Sequence, residues 1–173
     1  MWISKRAALV ISLVVVSAFS LALAVGALGD RGHGHGKGHG GGSLLEATLA
    51  PSLPSDPAFH GVAAGGAPWV LKRGDVELKK NRLELRVRGL VIPTAPGNGT
   101  PGPVNTVSAS LYCGADSDTA PADTTGQVPI SRAGDARIRD RSFAVPDTCL
   151  APVILVHPNG DTTHYIAVDG RRR

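Results

Sequence analysis

The most strongly patterned stretch of the chain is Val76-Glu77-Leu78-Lys79-Lys80-Asn81-Arg82-Leu83-Glu84-Leu85-Arg86-Val87-Arg88. Apolar and charged side chains alternate on both sides of Lys80-Asn81, a dipeptide that suits a tight turn. Because successive side chains of a strand point to opposite faces, the alternation predicts a β-hairpin with one apolar and one charged face. We expect the apolar face to join a core and the charged face to meet solvent.

Further strands are predicted on the C-terminal side of this hairpin. Alternating or continuous apolar runs lie at residues 107–113, 128–130, 136–145, 152–156 and 165–168. The only helical signal is the capping-box spacing of Ser43-Leu44-Leu45-Glu46, and Pro51 limits such a helix to about two turns. These features predict one all-β domain over residues 44–170, an Ig-like antiparallel β-sandwich of about seven or more strands.

The chain has two cysteines, Cys113 and Cys149, which we expect to form a disulfide. Cys113 continues the alternation of the predicted strand 107–113 on the apolar side, so the bond would start from the core. The bond would close a loop of about 37 residues, which should stabilise the fold by about 4 kcal/mol in the chain-entropy model.

The N-terminal segment predicts export. Lys5-Arg6 is followed by an uncharged run that ends in small residues, which is typical of a signal peptide over residues 1–27 cleaved after Ala24 or Ala27. The alternative is an uncleaved signal anchor, since the run is long enough to cross a bilayer core of about 30 Å. Both alternatives place the rest of the chain outside the cytoplasm, so we expect a secreted or extracytoplasmic protein, free or membrane-anchored.

Residues 28–43 predict a flexible linker, because glycine occupies nearly every second position. Three histidines of this linker, His33, His35 and His39, are candidate ligands for Cu(II), Ni(II) or Zn(II). The alternative is a plain tether without a metal. At the other end of the chain, residues 171–173 form a short basic tail.

A second pair of candidate metal ligands is His157 and His164. They flank a turn-rich segment that contains Asp161, between two predicted strands. If those strands form a hairpin, we expect the imidazoles to face each other across its mouth, where two histidines and a carboxylate would suit Zn(II) or Cu(II). The alternative is an ordinary cross-strand pair at the base of a loop.

The charge is modest but clustered. A formal net charge of +4 is too small to indicate nucleic-acid binding. Basic residues gather at Lys79-Lys80-Arg82-Arg86-Arg88, at Arg137-Arg139-Arg141 and at residues 171–173. The first two clusters fall largely at every second position, so each would lie on one face of a strand. That face is either simply solvated or contacts an anionic cell-wall polymer or phospholipid head groups.

Catalytic motifs are missing from the sequence. It has no Gly-x-Ser-x-Gly elbow, no His-Glu-x-x-His and no phosphate loop, and its carboxylates are scattered singly. We therefore predict that the protein is not an enzyme and uses no cofactor. Among its few aromatic residues, Trp69 is the one most open to a binding role, although core packing is the favoured interpretation.

Several short motifs resemble those of an uncharacterised group of secreted β-rich proteins from actinobacteria. They are Phe59-His60-Gly61-Val62, Gly66-Ala67-Pro68-Trp69-Val70-Leu71, Arg88-Gly89-Leu90, Ser110-Leu111-Tyr112-Cys113-Gly114 and His157-Pro158-Asn159-Gly160. This resemblance covers most of residues 44–170 and implies no known activity. The order of hairpin, Arg-Gly-Leu turn and closing strands is also similar to CHRD (chordin-type) domains, which implies a CHRD-like sandwich. The His-x-His strand of that family is replaced here by Ser110-Leu111-Tyr112.

The sequence thus predicts an exported β-sandwich that serves as a binding or structural module at the cell surface. Its partner would be a cell-wall polymer, a membrane surface or another extracellular protein, and not a nucleic acid. The alternative function is that of an extracytoplasmic metal-binding protein, which would use the Gly/His-rich linker or the pair His157 and His164.

Overall fold

A computed structural model describes residues 42–170 of the chain. The predicted signal peptide or anchor, the linker as far as residue 41 and the basic tail lie outside these residues. Every regular element in the described part is a β-strand. The strands are β1 Leu45–Pro51, β2 Ala63–Ala64, β3 Arg73–Lys79, β4 Arg82–Arg88, β5 Thr106–Tyr112, β6 Asp123–Thr124, β7 Val128–Pro129, β8 Ala136–Asp140, β9 Val153–Pro158, β10 His164–Tyr165 and β11 Ala167–Asp169.

The predicted hairpin is confirmed as β3 and β4. Lys79 pairs with Arg82 next to the turn, and the register continues to the pair of Arg73 with Arg88. Asn81 supplies the left-handed conformation that the tight turn needs, with a φ of 60°. The apolar face of the hairpin is fully buried and its charged face points outward.

The weak helical signal of Ser43-Leu44-Leu45-Glu46 is not followed by a helix, because this segment opens β1. The first half of β1 pairs with β3, starting at Leu45 and Leu78, and its second half pairs with β11, where Leu49 lies opposite Asp169. A strand gains these two long-range partners, whereas a short isolated helix would gain neither. The capping-box spacing is a local signal that the tertiary pairing overrides.

Strand β1 also joins the two layers of the fold. One sheet has the order β1-β3-β4-β8, and the other has the order β1-β11-β9-β5, with β6 and β7 both paired to β5. Because β1 belongs to both, the nine strands form one curled antiparallel sheet that folds over a single main core. This confirms the all-β antiparallel fold class.

The core between the layers contains side chains from both sheets. Leu83, Leu85 and Val87 come from β4, and the residues that face them from β5 and β9 include Leu111 and Val156. Trp69 lies in the same core with only 3% of its surface exposed, which confirms the packing interpretation. The disulfide between Cys113 and Cys149 is confirmed as well, with 5.0 Å between the Cα atoms, and both residues pack against this core.

Two predicted strands have different bounds in the structure. The run 136–145 ends as a strand at Asp140, and Phe143 beyond it turns inward to a fully buried position. The run 165–168 divides at Ile166 into β10 and β11, because β10 pairs with β2 and β11 pairs with β9. No helix in residues 42–170 is long and apolar enough to span a membrane.

The outer face of the second sheet is covered by a segment that the strand predictions did not include. Residues 57–65, called the cover below, include β2, which pairs in parallel with β10. Val62 of the cover packs with Tyr112, Leu155 and Tyr165 in a second, smaller apolar cluster. The Tyr165 hydroxyl donates a hydrogen bond to the Pro57 carbonyl at 2.9 Å.

Candidate functional site

The outer face of the first sheet carries a cationic groove near the end of β4. The groove has a volume of about 850 Å³ and is open to solvent. Five cationic side chains line it, and together they are called the basic groove below: Lys72, Arg73, Arg86, Arg88 and Arg137. The one carboxylate in its lining is Asp135.

Strand pairing brings these cations together. Arg73 of β3 lies directly opposite Arg88 of β4, and Arg86 of β4 lies directly opposite Arg137 of β8. Residues directly opposite in antiparallel strands have Cβ atoms about 5 Å apart. Arg86 and Arg88 are two residues apart on β4, so the two arginine pairs are displaced by about 7 Å along the strand.

A turn and a loop shape the wall of the basic groove. Gly89 has a φ of 65°, and its amide donates a hydrogen bond to Asp135 Oδ1 at 3.0 Å. Gly134, with a φ of 80°, approaches the Leu90 backbone so closely that an added Cβ would lie 2.5 Å from both its nitrogen and its oxygen. The hydrogen bond from the Gly89 amide to the Asp135 carboxylate therefore holds the loop before β8 against the turn after β4.

The ion pairs divide the charged face into two halves. Near the hairpin turn, Lys79 pairs with Glu77 at 2.7 Å and Arg82 with Glu84 at 3.3 Å. In the basic groove, Arg137 has one longer contact to Glu84 at 3.4 Å. Within the described residues, neither Arg86 nor Arg88 has a carboxylate within salt-bridge distance. The half that contains the basic groove therefore has two arginines without a salt bridge to any described residue, although Asp75 of β3 lies directly opposite Arg86.

Arg73 is partly engaged. Its Nε donates to Asp75 Oδ2 at 2.9 Å, which orients the guanidinium and leaves the terminal nitrogens toward solvent. Both side chains are well exposed, at 72% and 44%, so this pair adds little to stability.

The opposite side of the same sheet face carries carboxylates. A groove of about 610 Å³ is lined by Glu46, Asp75 and Glu77, with no cation among its lining residues. Glu46 of β1 lies directly opposite Glu77 of β3. The face is therefore bipolar, acidic toward β1 and basic toward β8.

The candidate histidines of the C-terminal half are close in the chain but do not face each other as expected. The His157 ring is fully buried, and its Nδ1 donates to the His164 carbonyl oxygen at 2.7 Å. His164 itself is exposed, and its Nδ1 lies 2.8 Å from Asp161 Oδ2. Asp161 therefore contacts His164, whereas the structure shows no contact between Asp161 and the His157 ring.

Metal ligation receives no geometric support from the described part of the chain. Among residues 42–170, no group of three His, Cys, Asp or Glu side chains is placed to hold a metal ion. The linker candidates His33, His35 and His39 lie outside the described residues, so that hypothesis stays a prediction.

His157 is instead a buried neutral side chain. Because a carbonyl only accepts, Nδ1 carries the proton, and Nε2 has no hydrogen-bond partner within the described residues. Burial lowers the pKa of His157, opposed more weakly by the backbone contact to His164 and by the charge of Asp161. Ser108, directly opposite on β5, also has an unpartnered buried hydroxyl.

The other perturbed groups have structural explanations. Hydrogen bonds from Thr163 and His164 lower the pKa of Asp161 to about 2, which stabilises the turn between β9 and β10. Burial raises the pKa of Tyr112 and of Asp169, and Asp169 accepts the Ile154 amide at 2.8 Å. No hydrogen bond in the described part joins two of these perturbed side chains, so they do not form an acid–base pair.

Comparisons with known proteins leave the site to be interpreted from its own geometry. No family model matches the chain, no curated protein matches its sequence and no solved structure matches its fold. The resemblances to the actinobacterial group and to CHRD domains therefore stay predictions.

Sequence reasoning identified part of the basic groove. Arg86, Arg88 and Arg137 belong to the two clusters that alternation had placed on strand faces. Lys72 and Arg73 were missed, although Arg73 and Asp75 extend the same alternation upstream of Val76. Arg139 and Lys79, which belong to the same clusters, are not in the groove lining.

Proposed function

We propose that this protein is an exported, non-enzymatic module that binds anionic partners at the cell surface through the basic groove. The observation that carries the proposal is the groove itself, whose lining holds five cations and one carboxylate, and in which Arg86 and Arg88 form no salt bridge with any described residue. The disulfide agrees with an oxidising compartment outside the cytoplasm. A surface anchor or a cleaved signal at residues 1–27 would bring the groove to the cell envelope.

The pairing of like charges favours a binding role over a merely solvated face. Arg73 lies directly opposite Arg88, and Arg86 lies directly opposite Arg137, an arrangement of like charges that destabilises a sheet. Asp75, which lies opposite Arg86 on its other side, bonds to Arg73 and forms no salt bridge with Arg86. The hairpin-turn half of the same face also places like charges opposite each other, at Glu77 and Glu84. There each carboxylate has a salt-bridge partner, Lys79 for Glu77 and Arg82 for Glu84. A negatively charged partner would relieve the repulsion in the basic groove.

The proposal is tested with cell envelopes from an expressing host. The full chain, produced in an exporting host and purified with its disulfide intact, is mixed with isolated envelopes and the bound fraction is measured at several salt concentrations. The test variant is Arg86→Gln, Arg88→Gln, Arg137→Gln. The matched control is Lys79→Gln, Arg82→Gln, Arg139→Gln, which removes the same formal charge from the same face outside the groove lining.

We expect salt-sensitive envelope binding that the groove variant loses and the control keeps. Equal binding by both variants would show that the groove has no special part in it. Absence of envelope binding by the unaltered chain would contradict the proposed function as a whole.

A further inference from the structure

The spacing of the arginines indicates which anions the basic groove is built to hold. We propose that it binds a linear, base-free phosphodiester polymer, with successive phosphates seated at the two cross-strand arginine pairs Arg86/Arg137 and Arg73/Arg88. This inference rests on the proposed function and names the class of its ligand.

The first argument is the chemistry of the arginine pairs. A phosphodiester has two free oxygens that diverge tetrahedrally, so two guanidinium groups on neighbouring strands can each take one. The two oxygens of a carboxylate lie in one plane and suit a single guanidinium fork. The direct opposition of Arg86 and Arg137 therefore fits a phosphate better than a carboxylate.

The second argument is the repeat along β4. The centres of the two pairs are about 8 Å apart, because they are displaced by about 7 Å along β4 and by one strand spacing of about 5 Å across the sheet. An extended phosphodiester chain with glycerol-sized units places successive phosphorus atoms at a similar distance. Two neighbouring phosphates can thus occupy both pairs at once, while Lys72 at the end of the groove extends the positive path.

The third argument is the shape and composition of the groove, which favour a strand-like ligand over a membrane. The most exposed large apolar side chains in the described residues are Leu44, Val70 and Leu150, and none of them lines the basic groove. A surface that enters a bilayer needs such side chains beside its cations. No aromatic ring lines the groove either, so it lacks the stacking platform of single-stranded nucleic-acid sites.

The experiment compares four anionic probes on the full chain, purified with its disulfide intact. They are poly(glycerol phosphate), oligothymidylate, poly-glutamate and phosphatidylglycerol vesicles, each titrated against the unaltered chain, the groove variant and the matched control defined above. Thermal unfolding of each variant establishes that it is folded before titration.

We expect poly(glycerol phosphate) to bind at least about tenfold more tightly than poly-glutamate, since charged hydrogen bonds to phosphate are lost with the carboxylate polymer. The groove variant should lose on the order of a hundredfold in affinity, and the control should stay within about twofold. The salt dependence gives an independent readout. The logarithm of the affinity should fall with a slope of about −1.4 for the unaltered chain, which contacts two phosphates, and about −0.7 for the groove variant, given about 0.7 per contacted phosphate.

The outcomes separate this inference from the proposed function. Equal, groove-dependent affinity for poly-glutamate and the phosphate polymer would overturn the phosphodiester assignment while keeping an anion-binding module. Tightest binding to oligothymidylate or to vesicles would overturn it in favour of a nucleic acid or a membrane. Undiminished phosphate-polymer binding by the groove variant would place the ligand elsewhere, and absence of binding to every probe would count against the proposed function too.

Discussion

The outer faces of the two sheets differ in what lies over them. The face of β3, β4 and β8 is open and charged, with Arg86 and Arg88 exposed to solvent. The face of β5 and β9 is closed by the cover, and Ser108, Tyr112 and His157 beneath it are fully buried. The two sheets share one core, but their outer faces differ in accessibility. Within the described residues, the first sheet leaves a broad face open to a partner and the second does not.

The sequence carries this difference in the pattern of each strand. The hairpin alternates strictly, which is typical of a strand buried on one side, whereas Val153-Ile154-Leu155-Val156 is apolar without a break. A continuous apolar strand is buried on both sides. The exposed charged face is therefore the candidate for binding, and the covered face is the candidate for stability.

Removal of the disulfide should have the largest effect, and it should fall on the second sheet. Cys113 follows β5, and the bond closes a loop with a sequence separation of 36. The double variant Cys113→Ser, Cys149→Ser should lose about 4 kcal/mol of unfolding free energy, measured by denaturant titration. Where the variant is still folded, its affinity for poly(glycerol phosphate) should be unchanged, and a parallel loss of binding would contradict the separation of the two faces.

Truncation of the cover's contact with the second sheet should come next. Tyr165 is fully buried and its ring lies 5.5 Å from that of Phe59. Tyr165→Ala should cost about 3 kcal/mol because it leaves a cavity beneath the cover. The control Tyr165→Phe removes only the hydroxyl that bonds to Pro57 and should cost about 1 kcal/mol. Similar losses for both variants in chemical denaturation would mean that the cover is not packed as described.

The burial of His157 beneath the cover should also make the unfolding free energy of the protein depend on pH. The folded-state pKa of His157 is lowered by burial, so the unfolded chain binds the proton first as pH falls. The stability that is present above about pH 6.5 should decrease as pH falls toward the folded-state pKa. Urea titrations across this range should show a weaker pH dependence for His157→Gln than for the exposed control His164→Gln. An identical dependence in both would rule out His157 as its source.

Arg86→Gln on the open face should have the smallest effect on stability. The variant loses both the repulsion between Arg86 and Arg137 and the attraction between Arg86 and Asp75, so the unfolding free energy should change by no more than about 0.5 kcal/mol. Lys79→Gln is the matched control, because Lys79 has an ion-pair partner in Glu77 and its loss should be neutral or slightly destabilising. A clear destabilisation by Arg86→Gln would show that the basic groove is built for stability and not for binding.

The local alternation of apolar and polar residues was enough to predict the hairpin and the all-β class. The disulfide followed from the count of two cysteines in a chain predicted to be exported. The two strands of the hairpin are neighbours in the sequence, so the alternation on both sides of Lys80-Asn81 is enough to define both faces of β3 and β4. The cover could not be predicted, because its residues show no strand period and β2 has only a long-range partner in β10. For the same reason, the capping-box spacing at Ser43 is a local signal that does not reveal β1, whose partners β3 and β11 are distant in the chain.

The basic groove was only partly predictable for a related reason. Alternation placed Arg86 and Arg137 on the faces of their own strands, but nothing local says that β8 lies beside β4 with these two side chains opposite each other. The relative orientation of the two histidines could not be predicted either, because the turn between His157 and His164 directs one ring inward and the other outward.

Arginine footprinting tests most directly whether the open face is the binding face. The full chain is modified with phenylglyoxal with and without poly(glycerol phosphate), and the modified residues are identified by mass spectrometry. We predict protection of the four groove arginines, Arg73, Arg86, Arg88 and Arg137, with Arg82 and Arg139 modified equally in both samples. Uniform protection along the face, or none in the basic groove despite binding, would contradict the account.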